Sequence, residues 1–353
     1  VAIASGSEAP TRAPSEGPAG TSRALGASLV KLGRRFLTLR EGSVIVVTIA
    51  TFVYFVASTP DFATVASYKA LLPYFAPLAI FGAGEVFVMV LGEIDLSIGS
   101  VFLITPFLFD KLASAGLPLV TAVIVALLAS ATIGLVNGFF VAVIGISSFV
   151  ATFGMMFTLD GLALVISHAE LAGTKGTEPI HVTSFAQVFG GGTYSELMWA
   201  VAIVVILQVV LAFTRWGVYT VAVGGNRLGA AEAGVRVKLV MIRNFVICAS
   251  CAGFVGILEA VRTTTATPDP SGAGEYLFLG IAAAVIGGTL LQGGSGTVVG
   301  ALIGGLFLGV LHDGLIIKGV SADYLDLYLG LAIILVMSVN VYVQRVRRGS
   351  GLG

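Results

Sequence analysis

From Leu117 to Ile144 the chain reads LPLVTAVIVALLASATIGLVNGFFVAVI, without a single charged residue. Such a run exceeds the ~18 to 20 apolar residues that carry a helix across ~30 Å of hydrocarbon, where every backbone hydrogen bond must be met inside the protein. Similar runs recur along the 353 residues, and only 11% of the chain is charged, against about 25% in soluble domains. The fold class is therefore all-α, a polytopic membrane helical bundle. Ten spans are predicted, at 41 to 59, 71 to 91, 96 to 112, 117 to 144, 148 to 168, 197 to 214, 241 to 262, 276 to 291, 297 to 317 and 325 to 344. The third and eighth are short or glycine-broken, which suits re-entrant segments.

Three regions follow from this reading. Residues 1 to 35 form a leader rich in Ala, Gly, Ser, Pro and Thr, expected to be disordered; residues 36 to 345 form the transmembrane domain; residues 346 to 353 form a tail. No long apolar core with a cleavage site follows the first basic residues, so a cleaved signal peptide is not expected. Ten alternating spans place fourteen of the nineteen Lys and Arg residues on one side, and Lys69, Lys111, Lys175, Arg262 and Lys318 on the other. That asymmetry predicts cytoplasmic termini. Formal charge is zero and gives no sign of a nucleic-acid partner. Cys248 and Cys251 share one apolar span and lack the distant companions of a metal site or disulfide framework, so they are read as small core residues.

Charge inside the spans is the informative exception. The stretch VMVLGEIDLSIGSVFLI, residues 88 to 104, carries Glu93 and Asp95 between Gly92 and Gly99. A charge at mid-bilayer costs at least ~2.5 to 3.5 kcal/mol, so both must face the bundle interior, water or a partner. Asp95 can cap a helix starting near Ser97 and brace its neighbours, or touch substrate; Glu93 has no capping role to explain it. By span count both fall near the cytoplasmic end, as a gate would. Glu85 lies within a span and can brace helices or line a path, and Phe102 can pack or stack on an apolar ligand face. Glu259 and Arg262 are spaced i to i+3 and can pair. Gly300, Gly304 and Gly305 suit close helix packing. An offset of 195 aligns GEIDLSIGS with GGTLLQGGS at 287 to 295, a weak internal match whose two halves face the same side.

Two hydrophilic segments interrupt the spans: an outer loop, 169 to 196, and an inner loop, 214 to 243. In the inner loop Asn226 after Gly225 can cap a short helix through Arg227, Ala230, Ala231 and Glu232, which Gly234 ends before Val235. Its small residues would let another protein's backbone come close.

The loop AVGGNRLGAAEAGVRV resembles the coupling loop of ABC-type monosaccharide import permeases, the ribose, xylose, galactoside and rhamnose group. Gly92 to Ser100 is similar to that family's Gly-Gly-Ile-Asp-Leu-Ser-x-Gly-Ser signature, with Glu93 in place of the second Gly, and residues 282 to 315 resemble its Gly-rich segment. The resemblance implies a transport subunit with no catalytic site, metal or cofactor of its own, in a bacterial inner membrane. Its implied partners are a cytoplasmic ATPase that uses ATP and Mg, an extracytoplasmic sugar-binding protein and a second permease subunit. Gly225, Asn226, Arg227, Ala230, Ala231, Glu232, Gly234 and Val235 would seat the ATPase; Glu93, Asp95, Ser97, Gly99, Glu85 and Phe102 would form the path or gate. No Walker A pattern occurs in the chain. An ion-coupled secondary transporter stays open because buried carboxylates could bind a proton or sodium. An intramembrane enzyme is more remote, because Ser147, Ser148, His168 and His312 sit in no recognisable hydrolase motif.

Overall fold

The computed structural model describes residues 41 to 168 and 183 to 349. The predicted leader, the first half of the outer loop and the last residues of the tail lie outside them. Every regular element in the described residues is helical: α1 Gly42–Ser58, α2 Val65–Val90, α3 Ile98–Ser114, α4 Leu119–Phe139, α5 Ser148–Ser167, α6 Thr183–Val188, α7 Ser195–Phe213, α8 Arg215–Gly225, α9 Arg227–Glu232, α10 Val237–Thr263, α11 Pro270–Ile286, α12 Val298–Ile317 and α13 Ala322–Gly349. Seven are long and apolar enough to cross a membrane: α2, α4 with its π-helical extension to Ile144, α5, α7, α10, α12 and α13 as far as Tyr342. The remaining predicted spans correspond to α1, α3 and α11, each of 17 residues. The expectation of short third and eighth segments thus holds, and α1 is short as well.

Boundaries moved where capping signals were missed. α2 starts at Val65, not 71, because the Thr64 side chain accepts from Ser67 N at 3.2 Å and caps it. The eighth segment starts at Pro270, not 276: Asp269 accepts from Ser271 N at 2.9 Å, and Pro270 takes a first-turn position where no N–H is needed. Much of the inner loop is itself helical, since α8 and α9 occupy Arg215 to Glu232 and α10 already begins at Val237.

α2 and α10 form the axis. From Phe75 to Leu91 every residue is buried, and α2 packs on α7, α10, α11 and α12, while α10 also packs on α3 and α4. Lipid offers apolar side chains nothing to flee, so this core depends on close packing. Gly138 lets α4 cross α10, since a Cβ there would lie 2.7 Å from Ile242 Cα. Gly300 and Gly304 face the backbone of Gly287 and Ala283, and a Cβ at Gly305 would lie 3.1 Å from Ala79 N, as the small-residue pattern predicts. Around this axis α1, α4, α5, α7 and α13 present exposed apolar side chains such as Val53, Leu128, Phe157, Ile206 and Ile334, the surface a bilayer requires.

Candidate functional site

The break between α2 and α3 begins at Gly92, whose φ of +75° is the left-handed conformation that favours glycine. The Gly92 N–H donates to Met89 O at 2.8 Å, and the Glu93 N–H to Val88 O at 3.2 Å. The chain then turns back along α2 instead of leaving the bundle. Four consecutive backbone N–H groups are taken by side chains: Ile94 by Ser148 Oγ at 3.3 Å, Asp95 by Glu85 Oε1 at 3.1 Å, Leu96 by Thr152 Oγ1 at 3.0 Å and Ser97 by Asp95 Oδ1 at 2.9 Å. Irregular backbone survives at membrane depth only where protein meets its hydrogen bonds in this way. Because the break re-enters, α3 starts partway up the bundle.

Asp95 stands at the centre of a buried polar node. Its Oδ1 also accepts from Ser97 Oγ at 2.7 Å, and Asn137 Nδ2 donates to Ser97 Oγ at 2.7 Å and approaches both Asp95 oxygens at 3.4 and 3.5 Å. On the far side of Glu85, Cys248 Sγ donates to Oε2 at 3.0 Å. Glu85, Asp95, Ser97 and Asn137 are all fully buried. Among the described residues no basic side chain pairs with either carboxylate. The node ties α2, α3, α4 and α10 together by hydrogen bonds alone.

Glu93, two positions before Asp95, has a contrasting environment. Its carboxylate is salt-bridged to Arg227 at 2.5 Å, and the same guanidinium donates to Leu91 O at 3.1 Å. Arg227 opens α9, which Asn226 caps through its side chain to Gly229 N at 3.0 Å, and which Gly234 ends at φ +84°. The break between α11 and α12 joins the same junction: Gly294 N donates to Val90 O at 2.8 Å, and a Cβ on Gly92 would lie 3.2 Å from Gln292 O. A Cβ on Gly224 would collide with the Val90 carbonyl. The second break is also served from a neighbouring helix, since Gln208 Oε1 on α7 accepts from Val298 N at 2.9 Å and Val299 N at 3.1 Å. Both halves of the internal match thus meet side by side at one end of the bundle.

A family model described as branched-chain amino acid transport system / permease component matches residues 67–337, from the first turn of α2 into α13. The chain belongs to this permease family. The permease is 36% identical over 310 residues to the xylose/arabinose import permease of Sulfolobus acidocaldarius, covering 85% of this chain and 83% of the relative. It is 31% identical over 312 residues to the ribose import permease of Escherichia coli, covering 87% and 97%. It is 27% identical over 267 residues to the D-allose transport system permease of the same species, covering 75% and 80%. These relatives bear out the resemblance to monosaccharide import permeases. No solved structure matches the permease.

The predicted path residues do not form one surface in the permease. Glu85, Asp95 and Ser97 are enclosed in the node, and Gly99 serves packing, since a Cβ there would lie 2.8 Å from Ala273 O on α11. Glu93 lies at the junction end, whereas Asp95 sits deeper because the break re-enters; the span count had put both near that end. Phe102 lines a cavity between α3, α10 and α11. In the predicted coupling set, Gly225, Asn226, Arg227, Ala231, Glu232 and Gly234 are exposed, Val235 is half-buried, and Ala230 is buried as the anchor of α9. Sequence reasoning missed Leu228, 72% exposed beside them, although an apolar residue on a short polar helix was a usable signal. It also missed Asn137, whose side-chain partners Asp95 and Ser97 are remote in sequence, and the roles of Ser148, Thr152 and Gln208, whose backbone partners are equally remote.

Proposed function

We propose that the permease is the membrane-spanning subunit of an ATP-binding-cassette importer, moving a monosaccharide or related small polar solute delivered by an extracytoplasmic binding protein. Hydrolysis takes place on separate subunits, and a second permease subunit completes the assembly, multi-pass in a bacterial inner membrane with both termini cytoplasmic. The observation that carries this reading is α9, an exposed, doubly capped helix tied by Arg227 to the break between α2 and α3. A partner that displaces α9 pulls on Leu91 and Glu93 directly. It presses on α2 and α12 as well, because Gly224 and Gly294 are seated on Val90. The buried node makes α2, α3, α4 and α10 follow together.

Names of the relatives support the solute class, and the basic residues on the α9 side support the orientation. The test is copurification of the permease with its ATPase, followed by ATPase and uptake assays on a variant altered at Ala231 and Gly234. ATPase binding that is lost, or hydrolysis that continues without uptake, supports the reading. If no ATPase associates and the chain alone accumulates sugar on an ion gradient, it is a secondary transporter.

A further inference from the structure

At the end of α10 away from α9, a cavity of about 150 Å³ opens between α3, the α10–α11 connection and the start of α11. That volume is well above the ~10 to 15 Å³ that holds a single water, which leaves room for one small polyol. One wall is aromatic: the Phe102 and Tyr276 rings lie 4.8 Å apart at 30°, with Phe81 behind them at 5.7 and 6.3 Å. The other wall is a fixed carboxylate. Glu259 accepts from Arg262 Nε at 3.0 Å and from a second Arg262 nitrogen, and Tyr276 OH donates to it at 3.4 Å. Arg262 also approaches Glu196 Oε1 at 3.5 Å, so one guanidinium serves two carboxylates. Thr265, Thr267 and Asp269 add polar groups to the rim. The rim is held in a tight turn by Thr264, whose φ of +60° is rare for a β-branched residue.

We propose that this cavity is a monosaccharide-binding site within the permease, a stop on the path after release from the binding protein, with Phe102 and Tyr276 stacking on the apolar face of the sugar and Glu259 accepting from its hydroxyls. The proposal rests on the importer reading above. A sugar presents a face of C–H groups and a rim of hydroxyl donors, and this cavity offers one apolar wall and one wall of acceptors. A phosphorylated sugar is disfavoured, because among the described residues the guanidinium at the site, Arg262, is already neutralised by two carboxylates. An amino acid is disfavoured for the same reason, since its carboxylate would lack a free cation.

The test uses the complete importer in proteoliposomes and measures uptake of radiolabelled xylose, arabinose, ribose and allose. For the sugar the wild type transports, Tyr276→Ala and Glu259→Gln are expected to raise KM about tenfold, equivalent to about 1.4 kcal/mol of binding. Tyr276→Phe keeps the ring and should stay near the wild-type KM, and Phe278→Ala, on the exposed side of α11, should match the wild type. Copurification with the ATPase identifies variants that assemble. Assembled Tyr276→Ala and Glu259→Gln proteins with wild-type KM overturn the site while leaving the importer reading intact. A wild type that neither binds an ATPase nor shows ATP-dependent uptake of any monosaccharide overturns both.

Discussion

Glu93 and Asp95 belong to one short break, yet Asp95 is sealed in a node of uncharged hydrogen-bond donors and Glu93 pairs with Arg227, whose side chain is 45% exposed. Position relative to Gly92 makes the difference. The left-handed turn leaves Glu93 at the end of α2, beside α9, and sends Asp95 back up the helix to Glu85. The two carboxylates should therefore fail in different ways. A buried carboxylate with several donors is expensive to disturb, because each donor it leaves behind is stranded without water. An exposed ion pair contributes about 0 to 1 kcal/mol to stability, so its value lies in the position it gives α9.

The largest expected effect comes from Asp95→Ala. It strands Ser97 N and the Ser97 hydroxyl in the interior, while Asn137 Nδ2 keeps Ser97 Oγ, at a cost of about 1 to 3 kcal/mol for each stranded donor, and should sharply lower accumulation of folded permease in detergent. Asp95→Asn keeps an acceptor for Ser97 and should recover part of the yield. Wild-type thermal stability in Asp95→Ala, with transport lost, would break the comparison by making the node functional instead of structural. Gly224→Val comes next. Its side chain would collide with the Val90 carbonyl and prise α8 from α2, so ATPase copurification and thermal stability should both fall.

These effects trace features of uneven legibility. The turn at Gly92, the cap at Asn226 and the stop at Gly234 were readable because each acts on backbone within a few residues of itself. The Glu259–Arg262 pair was readable for the same reason. Asn137, Ser148, Thr152 and Gln208 read as ordinary span residues, since the groups they serve are brought to them only by the fold. The re-entrant course after Gly92 was legible only as a short, glycine-broken third span, because hydropathy marks where a chain can cross a membrane and not how far back it doubles. Tyr276 shows a further limit: its aromatic character was plain, but its place opposite Glu259 depends on where α11 starts, which the Asp269–Pro270 cap moved.

A smaller effect on stability tests Asn226. Asn226→Ala removes the cap on Gly229 N and should cost about 1 kcal/mol, seen as loosened ATPase binding with little change in the melting of the bundle. Asn226→Ser or Asn226→Asp should restore it.

The smallest effect on stability, and the most telling for mechanism, is expected from Arg227→Ala. Removing an exposed partner of Glu93 should leave thermal stability within about 1 kcal/mol of wild type. Uptake per ATP hydrolysed should nevertheless fall, because α9 would lose its link to both the Glu93 carboxylate and the Leu91 carbonyl. Glu93→Gln removes the charge but leaves the Leu91 contact available, so its loss of coupling should be milder. The exchange Arg227→Glu with Glu93→Arg separates the two contributions: it can restore the ion pair while moving the guanidinium to the other side. Recovery of coupling in the exchanged protein would assign the link to charge pairing, and that coupling should weaken as ionic strength rises. Continued uncoupling would assign it to the Leu91 carbonyl, making Arg227 a backbone clamp. If all three variants couple normally, α9 transmits its displacement through the glycine contacts at Val90 alone, and the contrast between Glu93 and Asp95 reduces to burial.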